Sequence, residues 1–213
     1  MKEPIIFYFA IPSRYAYLAA TQMDAFSRET GHEIIWTPVD GNELRQRSNS
    51  DPFNGAPPSG QYRSPYREND LADWVDYYGV PYREPPEADG DVWWKGFGWE
   101  KMRMIALAAL AGQDLGGSIA WHRALYDLMF VRDVWPFDLP EILAEGKTLG
   151  LDPDELAAKI QAKDTASRLT QNSEAAIAAG AFGVPSFVCA DRVFFGNDRL
   201  PLLRHHLAKL AVD

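Results

Sequence analysis

The tightest constraint on the fold lies in the first forty residues, which read as strand, helix and strand with almost no chain between them. Ile5-Ile6-Phe7-Tyr8-Phe9 is β-branched or aromatic at every position. Such a run needs cover on both faces and suits the middle of a sheet. Pro12 and Ser13 stop it. Tyr15, Leu18, Ala19, Met23 and Phe26 then recur at helical spacing, and Thr30-Gly31 closes the helix. His32 to Val39 predicts a second strand. So short a connection implies parallel pairing through a right-handed crossover.

Beyond Asp40 the pattern changes. Asn49 to Pro65 carries four prolines and two glycines and reads as a loop. Helical periodicity then dominates: Asp70–Tyr78, Glu100–Leu110, Ile119–Phe130, Leu139–Glu145, Asp152–Ala162 and Asn172–Ala179. Asp152-Pro153 supplies a cap and a first-turn proline. Strand character returns at Ser186–Cys189 and Arg192–Phe195, a hairpin about Ala190-Asp191, whose turn chemistry is weak. Leu200, Leu203, Leu207 and Leu210 mark a final helix. A βαβ half and a ββα half around helices predict an α/β, thioredoxin-like fold split by a large all-helical insertion. Residues 1–40 and 181–213 would form the discontinuous thioredoxin-like domain, and 41–180 the insertion.

Composition removes several function classes. Thirty acids against 21 bases give a net charge of −9, with no basic run longer than two residues. A general nucleic-acid binder needs clustered Lys and Arg to displace counterions. The single cysteine, Cys189, excludes an intrachain disulfide, a Cys-x-x-Cys pair and a cysteine-rich zinc site. In its apolar run it reads as a small buried hydrophobe. Four scattered histidines offer no metal-ligating spacing, so no metal is expected. The N-terminal apolar stretch is too short for a signal peptide, and nothing approaches a membrane span. These features predict a soluble cytoplasmic protein with no membrane partner.

Three places carry chemistry. Ser13 stands at the carboxyl end of the first strand and the start of the first helix, where unpaired N–H groups and a positive partial charge favour anions. It suits an N-cap, and equally a donor to a bound anion; the roles can coexist. Gly183-Val184-Pro185 precedes a strand and admits either a trans proline ending a loop or a cis bond turning the Val184 backbone outward toward a peptide-like ligand. Asn197 or Asp198, at the start of the last helix, is a natural cap; alternatively Asp198 receives an ammonium group while helix N–H groups hold a carboxylate, a pairing that suits an α-amino acid such as a γ-glutamyl group.

Ile6 to Ala19 (IFYFAIPSRYAYLA) is similar to the opening motif of the 2-hydroxychromene-2-carboxylate isomerases and kappa-class glutathione transferases. Gly180 to Phe187 (GAFGVPSF) and Phe194 to Leu200 (FFGNDRL) resemble their C-terminal signature. Those enzymes sit within the thioredoxin-like, disulfide-oxidoreductase-A-like superfamily, and the likeness runs essentially the whole chain. It implies glutathione as cofactor, with Ser13 at the thiol, and Val184 before a cis Pro185 pairing with the tripeptide backbone. It implies Asn197 and Asp198 at the γ-glutamyl end. Asn54 resembles a pocket asparagine of the family, and Arg63 falls where many relatives carry lysine. Two departures stand out: Ala10 replaces the usual aspartate, and Arg14 the usual proline. The aromatic run Trp93–Trp99 is expected to line the acceptor pocket or a dimer interface.

The resemblance therefore implies a glutathione-dependent isomerase acting on an aromatic or keto-acid carboxylate, working as a homodimer. A kappa-like transferase uses the same thiolate on an electrophile that keeps the tripeptide. A non-catalytic thioredoxin-like peptide binder or chaperone is a third reading. A dithiol oxidoreductase is the least tenable, because Ser13 and Ala16 stand where a redox pair would.

Overall fold

The computed structural model describes residues 2–48, 64–84, 99–132, 134 and 137–210. Its centre is a four-stranded mixed sheet built from β1 (Ile5–Phe9), β2 (Ile34–Pro38), β3 (Ser186–Cys189) and β4 (Arg192–Phe195), in the order β2-β1-β3-β4. β1 pairs parallel with β2, Phe7 opposite Trp36, and antiparallel with β3, Phe7 opposite Phe187. The expected βαβ and hairpin halves thus share one sheet, in which β1 is a central strand.

The continuous apolar character of β1 reflects cover on both faces. Ile5, Phe7 and Phe9 point into a core shared with α1 (Arg14–Thr30), α4 (Trp99–Asp114) and α5 (Ser118–Phe130). Tyr8 points the other way, toward Val39, Leu44 and Ala176, beneath α2 (Gly41–Arg47) and α8 (Lys163–Ala178). Phe7 stacks on Phe187 across the strand pair at 5.1 Å between ring centroids. Each fully buried phenylalanine contributes about 1.5–3 kcal/mol from area alone, so this triple-aromatic strand anchors the sheet. The remaining helices are α3 (Ser64–Tyr78), α6 (Leu139–Thr148), α7 (Pro153–Gln161) and α9 (Leu200–Leu210).

The structure corrects three boundaries. The helix α2 has no counterpart in the periodicity; it is started by Asp40, whose carboxylate accepts from the Asn42 and Glu43 amides at 3.1 and 3.2 Å. α3 begins at Ser64, six residues before the expected Asp70, because a proline in the first turn costs no hydrogen bond. α8 begins at Lys163 rather than Asn172. Its buried stripe is Thr165, Leu169, Ser173 and Ala176, too small and polar to register as an apolar face. No helix among the described residues is long and apolar enough to cross a membrane.

Candidate functional site

Ser13 lies in the sharp turn between β1 and α1, with the extended backbone of an N-cap (φ −95°, ψ 114°). Its Oγ accepts from the Ala16 amide at 3.2 Å. That bond uses a lone pair and leaves the hydroxyl hydrogen for another acceptor. Capping therefore leaves the hydroxyl able to donate. The Ser13 N–H is itself fixed by the Ala10 carbonyl at 3.0 Å.

The turn meets the other sequence-derived residues at one end of the sheet. The antiparallel register sets Ser186 opposite Tyr8, so Val184 and Pro185 flank the carboxyl end of β1. The Val184–Pro185 bond is cis. Neither the N–H nor the C=O of Val184 pairs with another backbone group among the described residues. A Cβ placed on Gly41 would stand 3.4 Å from the Ala10 Cβ and 3.9 Å from a Val184 methyl, so the start of α2 closes against both. The Pro185 carbonyl accepts from the Gly196 amide at 2.9 Å, which draws the turn after β4 to the same place.

That turn, Asn197–Arg199, is a short 3₁₀ segment entered from Gly196 at φ 110°. That positive φ strains any L side chain, so the position favours glycine; a Cβ there would also make the Asp198 carboxylate move aside. Asn197 and Asp198 lie inside the turn and do not cap it, contrary to the capping reading. Asn197 is only 2% exposed, and its Nδ2 has no hydrogen-bond partner among the described residues. Its carbonyl accepts from the Tyr78 hydroxyl at 3.4 Å. Asp198 is nearer the surface and pairs with Arg199 at 2.6 Å. The structure therefore gathers Ser13, Val184, Pro185 and the Asn197-Asp198 turn around one end of β1. Asn54, Arg63 and Trp93–Gly98 lie outside the described residues.

A belt of polar residues surrounds the first turn of α1. Arg14 pairs with Glu84 at 2.6 Å, and the Tyr82 hydroxyl donates to the same carboxylate. The Tyr15 hydroxyl donates to Asp70 at 2.7 Å. Burial first, and then these carboxylates, push both phenols well above the ordinary tyrosine value. Both therefore remain neutral donors at physiological pH. Asp40, buried at the start of α2, is matched by Arg103 at 3.0 Å. No cluster among the described residues is suited to a metal ion.

Sequence reasoning did not single out Tyr126, Tyr78 or Gly41. Tyr126 on α5 sends its hydroxyl to the Ala10 carbonyl at 3.4 Å. A buried tyrosine needs an acceptor, but its identity, far away in the chain, has no sequence signal.

The chain is similar over its length to characterised proteins. It is 27% identical to a 2-hydroxychromene-2-carboxylate isomerase of Sphingobium xenophagum, covering 97% of this chain and 99% of that protein. It is 24% identical to glutathione S-transferase kappa 2 of Caenorhabditis elegans, over 98% and 93% of the two chains. A solved 2-hydroxychromene-2-carboxylate isomerase superposes with a TM-score of 0.77 at 22% identity, over 97% of this chain and 95% of that one. At that identity the superposition shows the fold: thioredoxin-like, as the element order implied. The model of the DSBA-like thioredoxin domain matches residues 4–208. With that span matched, and the sheet, the cis proline and the serine turn arranged as described, the chain belongs to the DSBA-like thioredoxin domain family.

Proposed function

We propose that this protein is a glutathione-dependent isomerase of the 2-hydroxychromene-2-carboxylate isomerase type, acting on an aromatic carboxylate. The observation that carries the reading is Ser13 at the amino end of α1, whose hydroxyl hydrogen no acceptor among the described residues takes, at the same end of the sheet as Val184, whose N–H and C=O have no backbone partner among them. The relatives named as isomerases and as a kappa transferase support it. Bound glutathione supplies a thiolate that adds reversibly to a conjugated carbon and makes a double bond rotatable. Ser13 donates to that sulfur, and the α1 amino terminus adds a positive partial charge. Together they lower a thiol pKa from about 8.5 toward neutrality.

The other residues fit the tripeptide. Val184 offers the paired donor and acceptor that an extended peptide backbone takes up. Asn197 and Asp198 meet the γ-glutamyl end, and the Asn197 Nδ2, without a partner among the described residues, is a donor in search of an acceptor. Asn54 and Arg63 are assigned to the same pocket. In this reading the thioredoxin-like part, residues 1–40 and 181–213, holds the tripeptide, and residues 41–180 supply the acceptor side. The protein works as a cytoplasmic homodimer, which light scattering of the purified chain tests.

The kappa-like transferase is the second reading, favoured by the similarity to the nematode protein. Calorimetry with glutathione comes first: no heat at millimolar concentration overturns both readings and moves a non-catalytic peptide binder to the front. Turnover without net glutathione consumption then marks an isomerase, and stoichiometric consumption a transferase.

A further inference from the structure

The carbonyl of Ala10 accepts two hydrogen bonds. One comes from the Ser13 amide at 3.0 Å, the other from the Tyr126 hydroxyl at 3.4 Å. These donors come from different elements: the first is local and closes the turn that carries Ser13, while the second is a side chain of α5. Tyr126 is 1% exposed and packs against Phe9 at the end of β1, Tyr17 on α1 and Phe130 one turn along its own helix, at 6.1, 5.8 and 6.4 Å between ring centroids. Its ring cannot leave without disturbing the three elements that bracket the turn.

We propose that Tyr126 is a positioning residue: through the Ala10 carbonyl it fixes the turn that aims the Ser13 hydroxyl. The inference rests on the reading of Ser13 as the donor to the thiol. Three features make it more than packing. A phenylalanine at 126 would fill the same space, so the core alone does not require the hydroxyl. The Ala10 carbonyl keeps a partner in Ser13 if the phenol is lost, so a buried acceptor is not orphaned. What changes is the carbonyl's freedom to swing, and the Ser13 amide and Oγ swing with it. Donors to a developing anion act only within a few tenths of an ångström of the right place. Burial holds the Tyr126 phenol protonated, so the restraint is present throughout the working pH range.

The test is Tyr126→Phe beside Ser13→Ala and the double variant. Tyr126→Phe is expected to keep glutathione affinity within about twofold by calorimetry while turnover falls about 5- to 20-fold. The acid limb of the pH–rate profile should move upward as the bound thiol loses its donor. The double variant should be no slower than Ser13→Ala alone, because Tyr126 acts only through Ser13. Unchanged turnover in Tyr126→Phe, or equal losses that multiply in the double variant, overturns the proposal.

Amide hydrogen exchange separates this inference from the functional reading. Removing the hydroxyl should speed exchange at the Ser13 and Ala16 amides severalfold in the unliganded protein, whether or not glutathione is its ligand. Unaltered exchange at both overturns the positioning role even if Ser13 is catalytic. Accelerated exchange in a protein that binds no glutathione supports the restraint and overturns the functional reading instead. If Tyr126→Phe fails to fold, site-specific 4-fluorophenylalanine fills the place of the hydroxyl without donating a hydrogen bond. It should show the same faster exchange at both amides, and wild-type exchange there overturns the proposal.

Discussion

Ser13 performs two tasks that free-energy magnitudes can separate. Losing an N-cap costs about 1 kcal/mol of fold stability and nothing specific in turnover. Losing a donor to a standing or developing anion costs roughly 2–4 kcal/mol, or about 30- to 800-fold in rate. Ser13→Ala is therefore expected to lower turnover sharply, raise the bound thiol pKa and weaken glutathione binding less than tenfold. Full turnover with a melting point a few degrees lower would leave Ser13 a cap only. Asn197 was legible as a polar residue opening the last helix, but its depth was not. Its place depends on Tyr78, distant in the chain, which donates to its carbonyl, and on the positive φ of Gly196 that opens the turn; neither has a signal in the sequence.

At the scale of elements, the pairing of α4 with α5 rests on a glycine that the pattern hides. A Cβ on Gly112 would lie 2.2 Å from the Trp121 indole nitrogen, which donates to the Ala108 carbonyl at 3.0 Å. Alanine gains about 1 kcal/mol of helix propensity over glycine. Moving a fully buried tryptophan costs about 1–3 kcal/mol and its hydrogen bond as well. Gly112→Ala is thus expected to lower the denaturation midpoint at an unchanged m-value. The β3–β4 turn carries the opposite fault, since Ala190 sits at φ 53°, where a Cβ is disfavoured. Ala190→Gly should raise stability by about 0.5–1 kcal/mol, read as a higher melting temperature. Weak turn chemistry was plain in the sequence; the strain it leaves was not. The βαβ unit was readable because period, length and punctuation agree there. α8 was read short because its packing face is built from Thr, Ser and Ala.

Across the whole molecule, one buried imidazole ties stability to pH. His122 stacks on Trp36 and meets Phe9 edge-on, and burial lowers its pKa from 6.5 to about 4. Between those values the unfolded chain binds a proton that the folded chain refuses. Stability is therefore complete above pH 6.5, falls as the pH drops toward 4, and levels off below. The span amounts to about 3 kcal/mol. Urea titrations at pH 7, 5.5 and 4 should show this loss, and His122→Phe should flatten it; an unchanged slope would mean that other groups carry the dependence.

The pairing of β1 with β3 also sets a schedule for synthesis. Tyr8 and Ser186 sit side by side in the sheet although nearly the whole chain separates them. At roughly 5–20 residues per second a ribosome needs about 10 to 35 s to deliver β3 after β1. During that interval β1 and β2 can pair, but the other edge of β1, with its aromatic residues, has no strand to cover it. An open apolar edge of this kind recruits other chains. The helices that emerge in between must therefore shield β1 while it waits, which gives the long helical segment a task in the nascent chain that the finished fold no longer displays.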